Sequence, residues 1–168
     1  MRPRRVLPFL VLALSLTAPG CLRELAQDAL GPYPEEAAYV AALQPHAEAL
    51  RGEVEEGAAT FRALERGSLS RAEALAEIRA SERTLREERE AIAALSPPPR
   101  FEATHRHLLR GLDEALTALS EAEACLERMR PARCESAADH RAEALAEVTT
   151  ARDSLPAEWR SVADALAP

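Results

Sequence analysis

The sequence predicts an all-α protein, an antiparallel up-down-up-down four-helix bundle, on three observations. Alanine fills 36 of 168 positions, leucine, glutamate and arginine are abundant, and aromatic residues make up only 4%. These are strong helix formers, while the β-branched and aromatic residues that build sheets are scarce. Four stretches repeat apolar residues at alternating spacings of three and four, the period of one helix face. Proline or glycine separates each stretch from the next, as short links between antiparallel helices require.

The first block carries Val40, Leu43, Ala47, Leu50, Val54, Gly57, Phe61 and Leu64, and closes at Arg66-Gly67. Gly57 admits a close neighbour at a cost of about 1 kcal/mol in helix propensity against alanine. The second block opens with Ser70-Arg71-Ala72-Glu73, a capping box in which serine and glutamate satisfy each other's orphan amides. Its stripe is thinner (Leu75, Ile78, Leu85, Ile92) and stops at Ser96-Pro97-Pro98-Pro99, where proline removes the donor. The third block is richest, with Phe101, His105, Leu108, Leu112, Ala115, Leu119, Ala122, Leu126 and Met129, widened by Leu109 and Leu116. Arg130-Pro131 ends it. The fourth runs from about Glu135 through Ala138, Leu145, Val148, Arg152, Leu155, Trp159, Val162 and Leu166. A three-helix arrangement with a loose fourth segment and an intermolecular coiled coil use the same stripes, but short links favour one intramolecular bundle.

Pro45 and Pro156 fall inside stripes that carry through them, so kinks rather than breaks are expected at both. In this topology they share one end of the bundle. Blocks one and four are longer than block two and overhang it by about 10 Å at 1.5 Å per residue. The overhanging segments, Glu35–Gln44 and Ala157–Leu166, are expected to pack on each other or cover that end, and a groove there is the expected contact surface.

The first twenty residues read as an address. Arg2, Arg4 and Arg5 precede the 11-residue apolar run Val6 to Leu16, the layout of a secretory signal and too short for a spanning helix. Small residues at Ala18 and Gly20 stand before Cys21, as in a bacterial lipobox whose cysteine is lipidated and becomes the new N-terminus; Ala18 replaces its usual leucine. The alternative is an ordinary signal peptide leaving Cys21 free or paired. The expected organisation is a signal peptide over 1–20, lipidated Cys21 and a tether over 21–34, and a helical bundle over 35–168. Leu22 rather than aspartate follows the cysteine, which resembles lipoproteins passed to the outer membrane where the host has two.

The whole chain carries 21 basic and 28 acidic residues, a net −7; without the three leader arginines it carries −10. That balance argues against nucleic acid and is repelled by anionic headgroups, so membrane attachment is expected through the lipid alone.

Three cysteines leave one over after pairing. Lipidation of Cys21 accounts for it, and Cys125 and Cys134, flanking the third link, form the expected disulfide in an oxidising compartment. A redox pair is the alternative, without the usual C-x-x-C spacing.

His105 and Glu102 form a Glu-x-x-His pair on one helical face, an arrangement known from di-iron bundles that use two such motifs. Counting along the helices puts His46 near the depth of His105, with Glu90, Asp153 or Glu158 close by, so His46, Glu102 and His105 are the candidate ligands of a single divalent metal. The plainer reading is a partly buried His105 bonded to a neighbour, with the other histidines solvated and no cofactor. His140 lies near the opposite end and is set aside. No G-x-S-x-G, H-E-x-x-H, P-loop or Rossmann pattern occurs, so no enzyme is expected.

The stretch from Leu95 to Leu112, a proline turn followed by Phe101-x-x-x-His105-x-x-Leu108-Leu109, resembles a segment of small, uncharacterised α-helical bacterial lipoproteins. The resemblance spans residues 95–128 and implies an extracytoplasmic helical fold but carries no activity. The expected function is therefore a membrane-anchored envelope lipoprotein with a non-enzymatic binding role and a protein partner. The alternative is a periplasmic bundle binding a metal or small ligand through His105 and nearby carboxylates.

Overall fold

The computed structural model describes residues 33–160, and the chain there is an all-α bundle of four long helices. Helix α1 spans Pro34–Glu65, with proline in the first turn and Glu35 and Glu36 beside the N-terminal amides, where a fixed φ and negative charge both favour the start. It continues through Pro45 without a break. Gly67 ends it with φ 69°, and the Ser68 amide donates to the Ala63 carbonyl at 3.0 Å, the left-handed turn that glycine adopts most easily.

Helix α2 spans Arg71–Ala93 and starts with both bonds of the expected capping box between Ser70 and Glu73. The proline link leads through a single 3-10 turn, Pro99–Phe101, into α3, Glu102–Arg128. Helix α4 spans Pro131–Asp153. Pro131 therefore opens α4 about four residues before the expected start, in the first-turn position where its missing N–H is not needed. Only Met129, left-handed at φ 51°, and Arg130 separate α3 from α4.

Pro156 does more than kink. Helix α4 closes at Asp153, residues 154–156 form a turn, and residues 157–160 are helical again. A proline there has no N–H for the Arg152 carbonyl, and its ring crowds that oxygen. The Leu155 amide instead donates to the Arg152 carbonyl at 3.1 Å.

Each helix packs on the next in sequence; α3 and α4 share the broadest interface, and α1 meets α4 only sparsely. On α3 the seam toward α4 is a heptad series of small residues, Thr104, Gly111, Ala118 and Cys125, all buried. On α4 the buried series is Ala137, Ala144 and Ala151. This corrects three positions of the expected face by one residue: Ala138 and Arg152 are exposed and Leu145 is 40% exposed, whereas Val148, Leu155 and Trp159 of the same stripe do pack on the core. Large side chains attract the eye in a stripe, but here the inward positions are those small enough for two backbones to approach. Met129, expected on the α3 stripe, is 73% exposed, because it serves as the left-handed cap.

Cys125 and Cys134 are joined across the short link with Cα atoms 5.2 Å apart. Closing a loop of this size stabilises the fold by about 2.5 kcal/mol through the unfolded chain's entropy. The expected signal peptide, Cys21 and nearly all of the tether lie outside the described residues, as do Val162 and Leu166. No helix among the described residues is long and apolar enough to cross a membrane.

Two glycines separate tight from loose contact. A Cβ on Gly111 would stand 3.3 Å from the Ala144 carbonyl oxygen, whereas one on Gly57 would meet only the Leu119 side chain at 3.9 Å. Gly111→Leu should therefore lower stability by about 1–3 kcal/mol through overpacking. Gly57→Ala should raise it by about 0.4–1 kcal/mol. Urea denaturation of both variants checks the pair, and equal effects would refute the close α3–α4 seam.

Candidate functional site

At the Pro45/Pro156 end the described parts of the overhanging segments pack on each other. The Trp159 indole N–H donates to the buried Glu36 carboxylate at 2.9 Å, and Arg100 reaches the same carboxylate at 3.3 Å and also Glu158. Phe101 stands edge-on to both Trp159 and Tyr39, with ring centroids 5.8 and 5.4 Å away. Phe101 and Trp159 are fully buried, so this end is filled by an aromatic plug where a groove was expected. Pro156 makes the plug: by ending α4 early it turns the chain so that Trp159 lies over α1.

His105 belongs to this cluster. Its Nδ1 lies 2.9 Å from the Tyr39 hydroxyl, and both side chains are buried. Burial pushes the Tyr39 hydroxyl up to about 12 and holds the His105 imidazolium below its ordinary range. A protonated phenol and a neutral imidazole follow, with Tyr39 donating to Nδ1 and the ring proton on Nε2.

The set His46, Glu102 and His105 is not brought together. Tyr39 lies opposite His105, which places His46 seven residues further along α1, about 10 Å from that level. Residue counts alone bring the two histidines to similar depths; the proline link and the 3-10 turn displace α3 along the axis. His46 bonds Glu88 of α2 instead, and Glu102 is exposed in the first turn of α3.

The other histidines are not simply solvated. His107 of α3 bonds Glu147 of α4, and His140 of α4 bonds Glu114 of α3 at 2.7 Å. Glu143 lies 3.7 Å from the same His140 nitrogen. His140-x-x-Glu143 was visible as an i, i+3 pair, but its third member on α3 depends on the interhelical register.

The second feature of the bundle is a cavity of about 220 Å³ between α1 and α4, in the half that holds the disulfide. Val54, Gly57 and Phe61 of α1 and Ala137 and Ala138 of α4 form its sides, and Ala115, Ala118, Leu119 and Ala122 of α3 its floor. Glu53 and Glu65 border it on α1 and Arg141 on α4. The small residues of α4 fit α3 closely and cannot also reach α1, so the α1–α4 seam stays open there. Val54, Gly57 and Phe61 of α1 and Ala115, Leu119 and Ala122 of α3 are legible as stripe positions and Ala118 is not; nothing in the sequence marks the place where two stripes fail to meet.

No protein-family model, curated protein or solved structure matches the chain.

Because folded His105 resists protonation, its contribution to stability is complete above about pH 6.5, the unfolded value. It is lost as pH falls through the folded value, since the unfolded chain takes the proton first. His105→Asn keeps an acceptor near Tyr39 and removes the titration. Urea midpoints between pH 7.5 and 5 should fall more steeply for the wild type than for this variant. Tyr39→Phe should cost about 1–3 kcal/mol by leaving a buried acceptor unpaired.

Proposed function

We propose that this chain is a lipid-anchored protein of the bacterial cell envelope whose bundle binds a protein partner and catalyses no reaction. The anchor rests on the sequence Ala18-Pro19-Gly20-Cys21 behind a basic and apolar leader. The observation that carries the binding role is the apolar cavity between α1 and α4. A space of about 220 Å³ accepts one bulky apolar side chain of a partner, the kind of anchor that dominates interface energetics.

Charge complementarity narrows the partner. Glu53 and Glu65 outnumber Arg141 around the cavity, and the chain without its leader carries a net −10, so the partner segment combines an apolar anchor with basic neighbours. The aromatic plug at the other end favours this location over the proline end. A ligand site built on His105 is not favoured, because its Nδ1 is engaged by Tyr39 in a packed interior.

Fractionation and crosslinking test both halves. Cys21→Ser should move the protein from membranes to the soluble fraction, and unchanged membrane association refutes the anchor. Ala138→Trp fills the cavity from an exposed position. It should remove a reproducible envelope crosslink while leaving fractionation and helicity unchanged. A crosslink that survives this substitution refutes the cavity as the contact site.

A further inference from the structure

We infer that Glu114, His140 and Glu143 form a binding site for one divalent transition-metal ion, laid across the α3–α4 seam. One ligand atom from each residue lies within 4.8 Å of the other two. His140 and Glu143 share one face of α4 at i, i+3, and Glu114 reaches them from α3. One imidazole and two carboxylates match the ligand types that zinc, iron and manganese accept.

Charge balance points the same way. Several interhelical carboxylates are answered by arginine: Arg133 bonds Glu121, Arg79 bonds Glu123 and Glu127, and Arg89 bonds Asp113; where histidine answers instead, at Glu88 and Glu147, each imidazole meets one carboxylate. Among the described residues, Glu114 and Glu143 have ion-pair contacts to His140 only. Two carboxylates thus converge on an imidazole in a chain rich in arginine with none within ion-pair distance. A divalent cation supplies there the positive charge that no arginine supplies.

The distances suit such an ion. Bonds of about 2.0–2.2 Å in a tetrahedral site imply ligand atoms about 3.3–3.6 Å apart. The His140–Glu143 separation is already 3.7 Å, and the His140–Glu114 hydrogen bond of 2.7 Å opens by less than 1 Å on exchange for metal bonds. Nδ1 donates to Glu114 in the hydrogen bond; a metal ion takes the lone pair of that nitrogen in the tautomer that carries its proton on Nε2. The side chains keep 32%, 34% and 64% of their exposure for His140, Glu114 and Glu143. Water therefore has access to the remaining coordination positions.

The neighbouring pair His107–Glu147 lies on the same two helices but has one carboxylate, which makes it the internal control. The probe is Zn²⁺ titrated into the full chain carrying Cys21→Ser, prepared without a histidine tag and with Cys125–Cys134 oxidised, so that no thiolate competes. Calorimetry should find one saturable site. His140→Ala and Glu143→Gln should each weaken binding at least tenfold, while His107→Ala leaves it unchanged. Glu143 is exposed and makes no interhelical ion pair, so Glu143→Gln reports on the site even if His140→Ala disturbs folding. Absence of saturable binding overturns the site. Binding indifferent to Glu143→Gln, or lost equally with His107→Ala, also overturns it.

Discussion

The bundle depends on how closely α3 and α4 approach. Gly111 meets Ala144 with almost no side chain between the backbones, and Ala118, Cys125 and Ala137 are the other small buried residues of the two helices. The two-residue link and the Cys125–Cys134 bond fix the same pair covalently. A helix that buries mainly alanines gains little from apolar transfer, since it forgoes about 0.8 kcal/mol for each methylene it lacks against a larger side chain. Helix α4 is therefore held by proximity and tethering more than by bulk. The same choice leaves α4 without long side chains to send toward α1, which opens the cavity at one end, and the aromatic plug closes the seam at the other.

Polar side chains set the register that the alanine seams leave loose. Each of the four histidines uses Nδ1 toward a residue of another helix: His46 joins α2, His105 joins α1, and His107 and His140 tie α3 and α4. The α2–α3 pair uses Arg79 and Arg89 instead. Exposed arginine pairs contribute little each. A buried Thr60 hydroxyl on Glu77 and the Thr104–Ser154 bond matter more, because an unpaired buried group is expensive.

Fold class, helix number and most boundaries were legible because they rest on local chemistry: the Ser70–Glu73 box, Gly67 at a left-handed end, and the triple proline. What escaped depends on distances between helices. Pro131 was read as the end of one helix rather than the first turn of the next, since either role suits a proline between helices. In the fourth block Val148, Leu155 and Trp159 are legible as core positions, but Leu145 and Arg152 mislead where Ala144 and Ala151 are the buried residues, because apolar bulk is a poor guide where burial means close contact. Residue counts along separate helices bring His46 near the depth of His105 and set His140 apart. A count fixes position along an axis but not the stagger between axes, and the Pro99–Phe101 turn supplies that stagger.

Trp159 is the sole tryptophan of the chain and is 1% exposed. Its indole bonds Glu36 of α1 across the turn at Pro156. Intrinsic fluorescence is consequently a single-site signal: it reports the docking of the segment after Pro156 onto α1 and little of the alanine seam beyond. Far-ultraviolet dichroism counts every helix at once. Divergence between the two signals on heating would separate undocking of this segment from melting of the bundle, a resolution of substructures that the chain carries without any label.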